Sequence, residues 1–184
     1  MRRIVAVEYL SLDGIMSNPM WTAPYFSEEL GTLQDTWITG SDSLLLGRVT
    51  YEGMSTAWIA NTDGSTFTER INALPKHVAT RTLTDLAWNA TPLSHDIVEE
   101  VRALKQGEGA NVLIYGSGEL VRSLLEHHLI DEFHLIVCPV VVGEGRRLFS
   151  EDSRAALHLA STHATTTGVI VLSYRTEQPS NPDK

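Results

Sequence analysis

The stretch Asn111-Val112-Leu113-Ile114-Tyr115-Gly116-Ser117-Gly118-Glu119-Leu120-Val121-Arg122-Ser123-Leu124-Leu125 decides how this chain is read. Its first five residues form an apolar, β-rich run bounded by glycine, the pattern of a buried strand. Its last six put Leu120, Val121, Leu124 and Leu125 on one stripe of a helix. Between them Gly116-Ser117-Gly118 marks a tight strand-to-helix turn. The same design occurs upstream, where Ser43-Leu44-Leu45-Leu46 ends at Gly47 and a helical segment runs from Arg48 to Trp58. Two strand–glycine–helix units predict an α/β protein with parallel strands.

Working outward, Ile4 to Tyr9 reads as a strand closed by the turn Ser11-Leu12-Asp13-Gly14. Phe26, Leu30, Leu33 and Trp37 recur at helical spacing behind Pro24. A weaker helix covers Phe67 to Leu74 and stops at Pro75, after which His77 to Thr80 and Leu86 to Asn89 read as short strands. Ser94 is expected to cap a helix through Lys105 with Ile97, Val98, Val101 and Leu104 facing inward. Near the end of the next helix, His127-His128 is expected to meet terminal carbonyls, not a metal. Phe133 to Val142, Leu157 to Thr166 and Val169 to Arg175 are β-rich with turns between them. The expectation is one domain over residues 1–177, a mostly parallel sheet with antiparallel C-terminal strands, followed by a polar tail at 178–184.

Composition narrows the function classes. At 184 residues with 42% apolar and 20% charged residues, the chain has the make-up of a soluble globular domain. The 14 basic against 23 acidic residues leave a net charge of -9, which disfavours an extended nucleic-acid surface. No apolar run is long enough for a transmembrane helix, so no membrane partner is expected. Met1-Arg2-Arg3 leads directly into a strand and not into a secretory h-region, which fits a cytoplasmic protein. A single cysteine, Cys138, excludes an internal disulfide or a Cys-x-x-Cys zinc site. No metal is expected.

Three segments could carry chemistry. A helix N-terminus behind a glycine turn offers backbone N–H groups and a partial positive charge, which suits phosphate. The turns at Gly47-Arg48-Val49-Thr50 and Gly116-Ser117-Gly118-Glu119 both have that form, and in α/β sheets ligands sit at the carboxyl ends of strands. Turn glycines also serve backbone geometry alone, and both readings stand. Thr80-Arg81-Thr82 ends a strand with two hydroxyls and a guanidinium, a set able to hold a phosphate monoester or to form a solvated loop. A dinucleotide fingerprint G-x-G-x-x-G fails, because Val121 occupies the third glycine position. Ser117 is no nucleophile elbow, since Tyr115 and Glu119 stand where glycines belong. Trp21 and Trp58, read as loop residues, are candidates for ligand stacking, and Asp13 is a turn residue or a polar site group.

Taken in order, these motifs resemble the dihydrofolate reductase-like superfamily, and more closely the reductase domain of the riboflavin-biosynthesis deaminase/reductase. The resemblance rests on Ser11-Leu12-Asp13-Gly14, Gly47 to Glu52, Thr80-Arg81-Thr82 and Tyr115 to Val121. It continues through Leu129-Ile130-Asp131-Glu132, Pro139 to Gly145 and Leu148-Phe149, covering roughly residues 2 to 176. It implies a three-layer α/β/α fold, a homodimer, and NADPH-dependent hydride transfer to a pterin-like, ribosylaminopyrimidine-like or carbonyl substrate. By position, Gly47, Arg48 and Thr50 would hold cofactor phosphates, and Thr80 and Arg81 would select the 2′-phosphate. Gly116, Ser117, Gly118, Glu119 and Leu120 would cradle the pyrophosphate and the nicotinamide side. The Leu12 to Met16 loop matches the segment that closes over the nicotinamide. The acidic residue that protonates the pterin in true folate reductases would fall near Leu30-Gly31, where no carboxylate stands. Glu28, Glu29 and Asp35 phase onto other helix faces, so the proton is expected from water; Asp13 is the one carboxylate named as a catalytic candidate. The small-molecule substrate is unassigned, and a non-catalytic NADP(H)-binding homodimer is the alternative.

Overall fold

A computed structural model describes residues 1–93 and 95–177. Ser94, the expected cap, and the 178–184 tail lie outside the described residues. The strands are β1 (Ile4–Leu10), β2 (Ser41–Gly47), β3 (Lys76–Ala79), β4 (Ala90–Leu93), β5 (Asn111–Tyr115), β6 (Glu132–Val137), β7 (Leu157–Ala164) and β8 (Ile170–Thr176). The helices are α1 (Glu28–Thr39), α2 (Arg48–Ile59), α3 (Thr66–Ala73), α4 (Ile97–Gln106) and α5 (Gly118–Glu126), with a 3-10 helix at Pro19–Tyr25.

One sheet runs in the order β4-β3-β2-β5-β1-β6-β8-β7. The pairings from β4 to β6 are parallel, while β8 joins β6 and β7 joins β8 antiparallel. Strand periodicity splits the core into two layers. Val5, Val7, Leu44, Leu46, Leu113 and Tyr115 pack against Leu30 and Ile38 of α1, Tyr51 of α2 and Ile71 of α3. Ile4, Ala6, Leu45, Val112 and Ile114 pack against Val101 of α4 and Leu120, Val121, Leu124 and Leu125 of α5. The α/β/α layering with an antiparallel C-terminal edge is therefore as the sequence predicts.

The differences from the sequence reading are local and have physical causes. Asp96 caps α4 by accepting from the Val98 and Glu99 N–H groups. The Leu86 to Asn89 segment is a turn, and the strand follows it at Ala90–Leu93. Trp88 and Asn89 adopt positive φ values of 61° and 54° there. Tertiary contacts compensate: the Trp88 indole covers the Lys76 ammonium at 4.1 Å and donates to Asn72 Oδ1 at 2.6 Å. Burial in that pocket pushes the Lys76 pKa down to about 8. α1 begins after Ser27, so Phe26 precedes the helix and stays 54% exposed. The buried stripe of α1 is Leu30, Gln34 and Ile38. Where terminal carbonyls were expected to engage histidine, His127 Nδ1 lies 2.8 Å from the Ser123 carbonyl.

Candidate functional site

β2 and β5 are neighbours in the sheet, paired through Leu44↔Leu113 and Leu45↔Ile114. Continuing that register brings Gly47 level with Gly116. From there the chain departs in opposite directions, because α2 packs on one face of the sheet and α5 on the other. Two adjacent parallel strands feeding helices to opposite faces leave a crevice at their carboxyl ends, where α/β proteins bind ligands.

A cleft of about 1340 Å3 occupies that place. Its lining includes Gly47, Arg48, Thr50, Thr80, Arg81, Gly116, Ser117, Gly118, Glu119 and Leu120. All ten residues singled out in the sequence as cofactor-binding therefore face one space. The volume exceeds the roughly 300–1,000 Å3 of usual small-ligand pockets.

Local chemistry shapes the two turns. Gly116 and Ser117 have φ values of 57° and 67°, a left-handed pair that turns the chain sharply from β5 into α5. Every peptide bond among the described residues, Gly116–Ser117 included, is trans. The Ser117 hydroxyl accepts from the Gly47 N–H at 2.8 Å and donates to Thr50 Oγ1 at 2.9 Å, tying one turn to the other. That closeness leaves little room for larger residues. A Cβ on Gly116 would stand 3.3 Å from Thr50 Cγ2, and one on Gly47 would stand 3.3 Å from Ser117 Cβ. Neither α2 nor α5 has a side-chain cap, so their first N–H groups are left to the cleft. Glycine cradles and two uncapped helix ends match the donor set that a pyrophosphate needs.

The basic residues are used unequally. Arg48 lines the cleft, yet its Nη1 pairs with Glu52 at 2.9 Å along α2. Arg81 stands exposed on the loop after β3. Thr80 does more structural work than the sequence suggested, since its Oγ1 accepts from the Thr82 and Leu83 N–H groups at 3.2 and 3.1 Å. It thereby shapes the loop that presents Arg81.

Sequence reasoning reached a second wall only at Met16. Met16, Ser17, Asn18 and Pro19, with Met54, His95, Arg122 and Arg146, also line the cleft. Met16 abuts Gly118, where a Cβ would meet its Sδ. Arg146 pairs with Glu119 at 3.3 Å, and Arg122 donates to the Arg147 and Leu148 carbonyls at 3.0 Å. The sequence carried two signals for this wall: Met16 ends the Leu12 to Met16 loop that the resemblance marks for the nicotinamide side, and Arg122 lies one helical turn after Gly118. Arg146, far along the chain, carried none.

Three expectations are corrected. Asp13 does not face the cleft; its carboxylate accepts from the Ser11 hydroxyl at 2.6 Å and from the Val142 and Gly143 N–H groups at 3.1 and 2.8 Å. These bonds hold its pKa down at about 2, so it is an anionic clamp between two loops and no proton donor near neutrality. Trp58 lies within α2 and packs on Phe67 at 5.3 Å, and Trp21 donates to the Ser17 carbonyl at 3.2 Å. Neither tryptophan is on the cleft lining. Asp35, phased away from the core by sequence, is half-buried, and its charge helps raise the Tyr115 pKa behind burial and Tyr9.

Behind the cleft are polar atoms the fold leaves without partners. Both Glu8 carboxylate oxygens and the Tyr115 hydroxyl are buried without a hydrogen-bond partner, while the buried Tyr9 hydroxyl has the Gln34 side chain beside it. Each such group costs about 1–3 kcal/mol when its hydrogen bonds to water are not replaced. Burial also pushes the Glu8 carboxyl well above its ordinary pKa, favouring its neutral form.

The fold and cleft define a class by form: α/β proteins with an open crevice at the carboxyl ends of adjacent parallel strands. The comparison with family models makes this specific. The RibD C-terminal domain model matches residues 2–171, and the chain belongs to that family. Among curated proteins, it is 27% identical over 177 residues to the uncharacterized protein YyaP of Bacillus subtilis (strain 168), covering 94% of each chain. It is 29% identical over 164 residues to the uncharacterized protein YwjB of the same organism, covering 82% of this chain and 84% of that one. A putative riboflavin biosynthesis protein from Shewanella sp. PV-4 superposes with a TM-score of 0.69 at 18% identity, over 96% of this chain and 99% of the other. Dihydrofolate reductase from Enterococcus faecalis, solved with NADP(H), gives 0.65 at 16% identity, over 96% and 97%. At these identities the superpositions show a shared fold. No helix among the described residues is long and apolar enough to cross a membrane.

Proposed function

We propose that this protein is a cytoplasmic NADPH-dependent oxidoreductase acting on a small heterocyclic or carbonyl substrate. The observation that carries the reading is the convergence of two uncapped helix N-termini, joined by the Ser117 hydroxyl, on one cleft of about 1340 Å3. NADPH, when bound there, would supply hydride-transfer chemistry for reducing a C=O or C=N bond, and the proton for the heteroatom would come from water. The α2 terminus at Gly47, Arg48 and Thr50 and the α5 terminus at Gly116, Ser117, Gly118, Glu119 and Leu120 hold the phosphates. Thr80 orders the loop on which Arg81 meets the 2′-phosphate. Family membership and the NADP(H)-bound relative of the same fold support this assignment.

The partner expected besides the substrate is a second copy of the chain. β7 is an edge strand whose residues from His158 onward are exposed, and Leu159 and Ile170 are bared at 56% and 44%. An uncovered edge of that length invites pairing, and light scattering at micromolar concentration reads the resulting dimer.

Calorimetric titration of NADPH and NADH into the protein and its Arg81→Ala variant tests the cofactor reading. The unmodified chain binds NADPH more tightly than NADH, and Arg81→Ala weakens NADPH by roughly tenfold to a hundredfold while leaving NADH unchanged. Equal affinity for both cofactors in the unmodified chain sinks the Arg81 assignment. Binding of neither overturns the reductase reading.

A further inference from the structure

The second wall of the cleft consists of two loops joined into one unit. A β-bridge links Ile15 to Arg147. The Met16 N–H donates to the Arg146 carbonyl at 2.9 Å, and the Arg146 N–H donates to Ser17 Oγ at 2.8 Å. Gly145 permits this closeness: its φ is 133°, and a Cβ there would stand 2.6 Å from Ser17 Oγ and 2.8 Å from Ile15 Cγ2. The unit is also fastened to α5. Met16 abuts Gly118, and Arg122 donates to the Arg147 and Leu148 carbonyls. The Arg146 backbone is thus held firmly beside the first turn of α5.

Its side chain is held much more loosely. Nη1 pairs with Glu119 Oε1 at 3.3 Å, and the two side chains are 67% and 79% exposed. A pair so open to water is screened and contributes little to the fold. The other arginines on the lining are placed differently. Arg48 pairs with Glu52 along its own helix, Arg122 is committed to two carbonyls, and Arg81 stands on the loop after β3. Glu119 itself poses an electrostatic problem. A carboxylate in the first turn suits α5 in the free protein. It repels a pyrophosphate brought to the same helix end.

We propose that Arg146 is a movable cofactor ligand, which pairs with Glu119 in the free protein and turns to the pyrophosphate of a nicotinamide dinucleotide bound at the α5 terminus. This rests on the reductase reading and adds to it a residue from the second wall. A guanidinium meets a phosphate with two parallel N–H donors. A doubly charged pyrophosphate outcompetes a single carboxylate for that guanidinium. The exchange leaves the loop in place, because backbone bonds and not the side chain fix its position. The vacated Glu119 carboxylate stays in water, which keeps the cost of the exchange low. An arm of this kind is indifferent to the 2′-phosphate, in contrast to Arg81.

Calorimetric titration of NADPH and NADH into the parent, Arg146→Ala, Glu119→Gln and the double variant tests the arm. Arg146→Ala should weaken both cofactors by the same factor, about tenfold. Glu119→Gln frees the arm and removes a like charge, so both cofactors should bind about twofold to fivefold more tightly. The loss caused by Arg146→Ala should persist in the Glu119→Gln background. In 31P spectra of bound NADPH, Arg146→Ala should move the pyrophosphate resonances and leave the 2′-phosphate resonance in place. Without cofactor, Arg146→Ala should melt with the parent. The proposal is overturned if the parent binds NADPH and Arg146→Ala binds it equally well, or if the loss is confined to NADPH. A loss that vanishes in the Glu119→Gln background overturns it too, since Arg146 then only neutralises Glu119. Melting of cofactor-free Arg146→Ala well below the parent also overturns it, because the side chain is then a structural strut. Failure of the parent to bind either cofactor is a different result and strikes the reductase reading.

Discussion

α1, α3 and α4 begin at Ser27, Ser65 and Asp96, whose side chains accept from N–H groups in the first turn. α2 and α5 begin at Gly47 and Ser117 with no side-chain cap. Ser117 carries a hydroxyl that could cap its own helix, but spends it on the Gly47 N–H and Thr50 instead. In the first three helices the chain satisfies its own orphan donors, and these ends contribute stability. In the other two the chain supplies no side-chain cap, and the ligand proposed for the cleft would complete these ends and add stability on binding. The uncapped pair also sits on adjacent strands, so their partial positive charges add at one place.

The strongest challenge to this contrast is Gly47→Asp, which puts a capping carboxylate where the ligand phosphate is assigned. The cap preference itself changes by only a few tenths of a kcal/mol, but the new Cβ stands 3.3 Å from Ser117, so urea unfolding of the variant accompanies the titration. Two like charges about 4 Å apart repel by roughly 4 kcal/mol at a protein-surface dielectric, so NADPH affinity should fall at least about a hundredfold. Unchanged affinity by calorimetry would show that the α2 terminus does not hold the cofactor. Ser27→Ala is the matched control at a capped helix. It should cost about 1 kcal/mol in urea unfolding and leave the NADPH titration unaltered.

The smallest effect concerns the clamp beside the cleft. The Asp13 pKa falls from 3.8 in its unperturbed form to about 2 in the fold. Its contribution to stability is thus fully present above pH 3.8 and lost as pH falls through about 2. Asp13→Asn should flatten the dependence of melting temperature on pH in that window. A variant whose acid profile overlays the parent's would remove Asp13 from the account of how the 11–14 and 142–143 segments are joined.

The strand–glycine–helix pattern was legible because both halves announce themselves by period and glycine ends the strand. For α5 even the buried stripe was readable, since Leu120, Val121, Leu124 and Leu125 are all in the core. α1 was less so. Gln34 is buried with Leu30 and Ile38, and Asp35 reaches toward Tyr115, because a polar patch on that helix faces two phenols. Trp88 read as a strand residue by propensity, but a buried lysine and Asn72 hold it in a turn. Asp13 looked like a site carboxylate until its three donors, two of them well over a hundred residues away, came into view.

The sequence by itself determined the α/β class, the two glycine turns and the positions of Arg48 and Arg81, because period, turn chemistry and charge are local properties. Only the tertiary structure decided that Gly47 and Gly116 stand side by side and that Arg146 joins Met16 on the second wall. Those facts depend on strand order and on loops brought together from distant parts of the chain. No short-range pattern of side chains encodes which strand lies next to which.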